Sequence, residues 1–166
     1  MRLTMSSLVS TNPKIGNQPI FEAEIRMKLE ENIGYRFTDL ELLSDALRHR
    51  SWCSENEGDS NERLEFLGDA VLGTLIAKKI FTDFPYKPEG DLAKIRSDVV
   101  SSNSLAEVAR EIHLGEMLAL SPAEESAEGR QKESILADSF EALLGAVFLD
   151  GGIDKAELIV ERLFSD

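Results

Sequence analysis

The chain has 166 residues, 42% of them hydrophobic, which is enough for one compact domain with a buried core. Its 31 acidic and 18 basic residues give a net charge of −13. On its own, this balance argues against a nucleic-acid partner, because phosphates would be repelled. Cys53 is the only cysteine, so an intrachain disulfide is excluded and a reducing, cytoplasmic location is predicted. No apolar run reaches the roughly 20 residues that a membrane span needs.

Helical patterns follow one another along the chain. Residues 1–19 are rich in Ser, Asn and Thr and lack the apolar core of a secretory signal, so we expect a flexible tail before a domain spanning residues 20–166. Beyond the tail, apolar residues recur at helical spacing and strand signals are scarce, which predicts an all-α bundle. The predicted helices cover, in chain order, residues 21–32, a short helix after residue 38, 61–83, 89–100, a helix from residue 102 or 103 to 111, 132–149 and 154–164.

Local signals place several helix ends. Thr38, with Glu41 three residues later, has the pattern of a capping box and predicts the start of the second helix. Ser102 or Asn103 would cap the helix that ends at residue 111. Residues 122–131 are acidic and rich in small side chains, and we expect this segment to be mobile.

The run from residue 61 to residue 72 carries three carboxylates in an otherwise largely apolar helix. Glu62, Glu65 and Asp69 are spaced i, i+3 and i+7, which places them on one side of the helix over roughly 10 Å. Acids on a half-buried helix are costly unless their charge is compensated. With two histidines and one cysteine in the chain, the expected compensator is a hard cation with oxygen ligands, such as Mg²⁺.

A second acidic stripe lies on the helix predicted over residues 132–149. Asp138 and Glu141 share one face, and small residues (Ser134, Ala142 and Gly145) lie near them. If this face packs on a stripe made of Glu65, Asp69 and Gly73, four carboxylates converge and would bind one or two Mg²⁺ or Mn²⁺ ions. The alternative for any single acid is a solvated or capping residue.

These segments resemble the motifs of a known family. Residues 61–72 resemble the signature of the ribonuclease III family. Residues 89–92 and 135–150 resemble its other characteristic segments, and His49-Arg50-Ser51 resembles the short motif before the signature. The resemblance covers about residues 20–165. It implies a helical, homodimeric endonuclease domain that hydrolyses double-stranded RNA in a Mg²⁺-dependent reaction, with Mn²⁺ as a substitute. Products would carry 5′-phosphate and 3′-hydroxyl ends, and substrates would be ribosomal RNA precursors and some messenger RNAs.

The resemblance also implies roles for single residues. It makes Glu65, Asp138 and Glu141 metal ligands and ties Asp69 and Glu141 most directly to catalysis.

Further residues receive secondary roles. Glu62 and Glu89 match two more acids of the family, with the alternative that each only complements a helix dipole. Phe66 would join the two subunits, with the alternative of an ordinary core phenylalanine. Arg63 would pair with a nearby carboxylate or lie on the surface, and His49 is expected to be a hydrogen-bonded structural histidine. Basic residues that could contact phosphates are Arg48, Arg50, Lys94, Arg96, Arg130 and Lys132.

The chain departs from the family pattern in two places. Bacterial members normally carry a double-stranded-RNA-binding domain after the nuclease domain, whereas this sequence stops at Asp166. Either that domain has been removed or this is a stand-alone nuclease domain, and in both cases we expect no such domain in this chain and weak RNA binding. Arg48 stands where the family usually has Thr, and we expect little effect on the chemistry.

Two other functions compete with that of an endoribonuclease. One is a non-catalytic, dimeric module that binds double-stranded RNA, which the presence of all four central carboxylates disfavours. The other is a di-iron carboxylate oxidoreductase, which usually carries Glu-x-x-His on paired helices. No histidine stands on either acidic helix, so this alternative is weaker still.

Overall fold

The computed structural model describes residues 23–165, and this part of the chain is helical, as predicted. The expected tail, residues 1–19, lies outside the described residues. Two 3-10 turns cover Leu114–Met117 and Gly129–Gln131. The α-helices are α1 (Ala23–Ile33), α2 (Leu40–Ala46), α3 (Arg50–Cys53), α4 (Glu62–Asp83), α5 (Glu89–Val99), α6 (Ser102–Glu111), α7 (Pro122–Ser126), α8 (Glu133–Gly151) and α9 (Ile153–Leu163).

Helix α8 is the centre of the domain. It is apolar on most sides, as expected of a helix that other helices surround. Phe140 and Leu144 are each 1% exposed, and burying each side chain stabilises the fold by about 1.5–3 kcal/mol. Helices α4, α6, α2 and α9 pack around it, so side chains from two long helices, α4 and α8, meet inside one bundle.

The predicted capping box at Thr38 is wrong. Asp39 is the N-cap of α2, and its carboxylate accepts a hydrogen bond from the N–H of Glu41 at 2.9 Å. The N–H groups of Thr38 and Asp39 instead donate to the carboxylate of Asp150 at 2.8 and 3.0 Å. Asp150, at the end of α8 and over 100 positions away in sequence, therefore holds the backbone just before α2.

Two other local predictions also need correction. Ser101 caps α6, one residue before the predicted position, because its hydroxyl accepts a hydrogen bond from the N–H of Ser104. Residues 122–131 form α7 and a 3-10 turn where a mobile segment was expected. Arg130 ties this segment to the domain, donating to the carbonyl of Gly115 at 2.8 Å and to the carboxylate of Glu125 at 2.6 Å.

The start of α4 is tied down as well. Asn61 is buried and precedes the helix; its N–H donates to the carbonyl of Arg48 at 2.9 Å, and its side-chain amide donates to the carbonyl of Ala46 at 3.3 Å. These bonds orient the first turn of α4, which carries Glu62 and Glu65.

Candidate active site

Helices α4 and α8 touch through their backbones at two glycines. A Cβ added to Gly68 would lie 1.8 Å from the carbonyl oxygen of Glu141, and one added to Gly145 would lie 2.4 Å from that of Leu64. Only residues without a side chain permit so close an approach. The sequence predicted Gly73 as the small residue at this contact, which is wrong: a Cβ on Gly73 would meet no heavy atom within 4 Å.

The crossing brings three carboxylates together. One oxygen each of Glu65 on α4 and of Asp138 and Glu141 on α8 all lie within 4.8 Å of one another. We call this set the acidic triad. It consists of oxygen ligands only, the donor set that Mg²⁺ and Mn²⁺ prefer.

The triad lacks a compensating cation among the side chains of residues 23–165, none of which forms a salt bridge with it. Burial, and then the charges of Asp69, Asp138 and Glu65, raise the pKa of Glu141 to about 7. Burial and neighbouring acids also raise the pKa of Glu65. Burial raises the pKa of Asp138, an effect that His49 partly offsets. A divalent cation would remove this repulsion, so the site fits one.

Asp69 lies beside the triad without belonging to it. It is exposed, one turn along α4 from Glu65, and its charge is the second largest cause of the raised pKa of Glu141, after burial. The structure therefore places all four predicted carboxylates at one location, three in mutual contact range and Asp69 next to them.

The two secondary acids lie in different places. Glu62, in the first turn of α4, accepts a hydrogen bond from the hydroxyl of Ser60 at 2.6 Å and lines the same cleft as Glu65 and Asp138. Glu89 begins α5 and lines a separate shallow groove with Ala77, Ile80, Leu92, Ala93 and Arg96. Within the described chain, Glu89 is thus not part of the acidic triad.

Phe66 and Arg63 point away from the interior. Phe66 is 80% exposed, so the alternative of a core phenylalanine is wrong. Arg63 is exposed, and within the structurally described range it forms no salt bridge, so the predicted pairing with a carboxylate is not found.

Several basic residues are already engaged. Arg48 is 7% exposed and donates to Asp45 and to the hydroxyl of Ser44, so the prediction that it contacts phosphates is wrong. Lys132 donates to Glu124, and Arg130 to backbone carbonyls and Glu125. Arg50 is largely exposed, with Nη1 3.9 Å from Glu62.

The cleft beside the triad is also lined by residues for which the sequence predicted no catalytic or metal-binding role. Lys132 is predicted as a phosphate contact and Ser134 as a small residue near the acids, whereas Ser51 and Glu124 have no predicted role and His49 is predicted to be structural. His49 is the N-cap of α3 and accepts a hydrogen bond from the N–H of Ser51 at 3.2 Å. Burial lowers the pKa of His49. The His-Arg-Ser motif was the one sequence signal that pointed to this wall of the cleft.

A comparison with known families identifies the family of this chain. A family model described as ribonuclease-III-like matches residues 39–166, which include both acidic helices. The chain belongs to the ribonuclease-III-like family. This confirms the family resemblance seen in the sequence.

Relatives within the family are similar over most of the chain. Ribonuclease 3 of Syntrophotalea carbinolica is 47% identical over 148 residues, covering 87% of this chain and 64% of that protein. Ribonuclease 3 of Geobacter metallireducens is 48% identical, covering 86% of this chain and 59% of that protein. The chain thus spans about three fifths of the length of these curated relatives.

A solved structure confirms the fold. The nuclease domain of ribonuclease III from Campylobacter jejuni matches with a TM-score of 0.79 and 42% sequence identity, covering 83% of this chain and 94% of that one. One structure of that domain is described as flexible in a region involved in dimer formation. Among residues 23–165 of the present chain, no helix combines the length and apolarity needed to cross a membrane.

Proposed function

We propose that this chain is the nuclease domain of an endoribonuclease that hydrolyses phosphodiester bonds of double-stranded RNA with the help of a divalent cation. The observation that carries the proposal is the acidic triad, with carboxylate oxygens from α4 and α8 within 4.8 Å of one another. The similarity to other proteins supports the proposal, because relatives that are 47% and 48% identical are named Ribonuclease 3. The proposed domain comprises residues 20–166.

The proposed cofactor is Mg²⁺, with Mn²⁺ as a substitute. Glu65, Asp138 and Glu141 would bind it, since their oxygens converge and no basic side chain pairs with them in the described part of the chain. When bound, such an ion neutralises phosphate charge and lowers the pKa of water.

The protein's own residues fix the geometry of the site. The Gly68–Gly145 crossing fixes the separation of the two acidic helices, and small displacements at a reacting centre are costly. Asp69 and Glu141 are the proposed catalytic residues. Without a cation, burial and neighbouring acids raise the pKa of Glu141 to about 7. A bound cation would stabilise the ionised carboxylate, so that Glu141 would hold and position the cation. Products would carry 5′-phosphate and 3′-hydroxyl ends.

We propose a homodimer in which each subunit cuts one strand of the duplex. Phe66 and Phe81 on α4 are 80% and 72% exposed, which is unusual for large apolar side chains on one helix and is typical of an interface. A twofold dimer is also the commonest symmetric assembly.

The proposed substrates are duplex regions of ribosomal RNA precursors and of some messenger RNAs, in the cytoplasm. RNA duplexes are recognised mainly through shape, phosphates and 2′-hydroxyls, so sequence specificity should be loose. The net charge of −13 predicts weak binding, because the acidic surface repels phosphates.

Cleavage of an end-labelled RNA duplex at low salt with Mg²⁺ tests the proposal. The parent chain should cut both strands with a stagger, whereas Glu141→Ala should not cut. Glu107→Ala, which removes an exposed carboxylate on α6, is the matched control and should behave like the parent. An inactive parent in Mg²⁺ and in Mn²⁺ would refute the nuclease and favour a non-catalytic module.

A further inference from the structure

The imidazole of His49 is locked in one orientation by hydrogen bonds to Nδ1. The N–H of Ser51 donates to Nδ1 at 3.2 Å, and the hydroxyl oxygen of Ser51 lies 2.8 Å from the same nitrogen. That hydroxyl oxygen is itself positioned, because it accepts a hydrogen bond from the N–H of Ser121 at 3.1 Å. Two segments of the chain, residues 49–51 and Ser121, therefore orient one ring.

These contacts assign the tautomer. A backbone N–H is always a donor, so Nδ1 has to supply a lone pair to Ser51 and cannot carry a proton in this geometry. The neutral imidazole then carries its hydrogen on Nε2. Among residues 23–165, no group accepts a hydrogen bond from Nε2.

His49 lines the cleft beside the acidic triad. His49 lines this cleft with Glu65 and Asp138, and Asp138 is close enough for the two charges to affect each other. Two cationic side chains of the cleft are paired with carboxylates, Lys132 with Glu124 and Arg50 with Glu62. Both of these cations are therefore already engaged, whereas the neutral Nε2–H of His49 is available to donate a hydrogen bond.

The capping role accounts for only one of the two ring nitrogens of His49. An N-cap needs an acceptor near the N2 or N3 amide, which Asn, Asp or Ser provides with fewer atoms. Capping accounts for Nδ1 but gives Nε2–H no function. The Ser51–Ser121 contacts, which fix the direction of that N–H, likewise exceed what a cap needs.

We propose that the Nε2–H of His49 donates a hydrogen bond to a non-bridging oxygen of the scissile phosphate, making His49 a substrate-contacting residue of the nuclease. The assignment rests on the proposed function. A phosphate bound at the triad would enter the cleft that His49 lines, and a fixed donor gains strength as negative charge builds up on an oxygen that it contacts. His49 is not a metal ligand in this assignment.

Two substitutions separate this contact from the cap. His49→Asn keeps an acceptor for the N–H of Ser51 but has no donor at the position of Nε2. His49→Gln has an amide N–H that reaches about as far as Nε2 but is a poorer cap. His113→Asn, at the other histidine, is the matched control, because Asn tolerates the left-handed backbone conformation there (φ 59°). Each variant is compared for melting temperature, Mn²⁺ affinity by calorimetry and single-turnover cleavage of duplex RNA at saturating protein.

We expect the variants to rank differently in melting temperature and in cleavage rate. His49→Asn should melt like the parent and bind Mn²⁺ equally well, yet cleave about 10- to 100-fold more slowly. His49→Gln should cleave faster than His49→Asn despite melting no higher. Cleavage by His49→Asn at the rate of the parent would overturn the assignment. Weakened Mn²⁺ binding by His49→Asn, or a failure of His49→Gln to recover activity, would overturn it as well. A parent that cuts no duplex would overturn the proposed function, and this assignment with it.

Discussion

The closest contact between α4 and α8 gives the sharpest test of how the site is built. Gly68→Ala would place a methyl group 1.8 Å from the carbonyl oxygen of Glu141, where real contacts essentially never fall below 3.0 Å. The obstacle is backbone of α8, so no side chain can rotate away. The helices have to separate locally by about 1.2 Å, the difference between these two distances.

The magnitude follows from two opposing effects. Alanine is favoured over glycine within a helix by about 1 kcal/mol, whereas overpacking a core typically costs about 1–3 kcal/mol and occasionally more. Here the clash is with backbone in the central helix, so the overpacking cost should reach or exceed the top of that range, which leaves a net expected loss of about 2 kcal/mol or more in the free energy of unfolding. The same separation would move Glu65 away from Asp138 and weaken cation binding.

Urea unfolding followed by circular dichroism measures the first effect, and calorimetric titration with Mn²⁺ the second. Gly73→Ala, on the same helix but with no heavy atom within 4 Å of the added Cβ, is the matched control. It should be neutral or gain up to about 1 kcal/mol. If Gly68→Ala proved as stable as Gly73→Ala and bound Mn²⁺ normally, the role of the crossing would be refuted.

Three further predictions concern charge, assembly and the α2–α8 connection. Glu141 ionises near pH 4.5 when unfolded but only at about pH 7 when folded without a cation, so stability should fall as pH rises between these values, on the order of 2–3 kcal/mol. Urea unfolding with EDTA at pH 5 and pH 8 measures this difference in stability, and Glu141→Gln should lose most of it. An equal difference between the two pH values in both proteins would contradict the prediction. Phe66→Ala should shift the chain towards monomer in analytical ultracentrifugation, while Leu158→Ala, at an exposed leucine on α9, should not. Unchanged association of Phe66→Ala would count against the proposed interface. Asp150→Ala removes three hydrogen bonds, to a tyrosine hydroxyl and to the start of α2, and should cost about 2–3 kcal/mol. Asp154→Ala, at an exposed aspartate, is the control. Equal melting temperatures of Asp150→Ala and Asp154→Ala would refute the role of Asp150.

Features set by local sequence were predictable. The long helix over residues 61–83 and the central helix over residues 132–149 follow from apolar periodicity and from prolines and glycines at their ends, and the structure agrees within two residues. The i, i+3 spacing of Asp138 and Glu141 placed both on one face of α8. Helix geometry alone therefore gave most of the acidic triad.

Features set by distant contacts were not predictable. Thr38 loses its capping role because Asp150 takes its N–H, and residues 122–131 are ordered because Arg130 reaches the carbonyl of Gly115. The choice between Gly68 and Gly73 depends on how α4 is rotated against α8, which a single helix pattern leaves open. The same holds for His49, since the direction of its Nε2–H depends on Ser121 from another segment.

Cation binding tests the central claim, that two helices form one divalent-cation site, most directly. Mn²⁺ would be titrated calorimetrically into the parent chain and Glu141→Gln at pH 7, in two buffers of different ionisation enthalpy. The parent should bind and release protons, because burial and neighbouring acids raise the pKa of Glu141 to about 7 and leave part of it protonated at that pH. Glu141→Gln should bind more weakly and release fewer protons. Absence of binding by the parent, or equal binding by both proteins, would contradict the account.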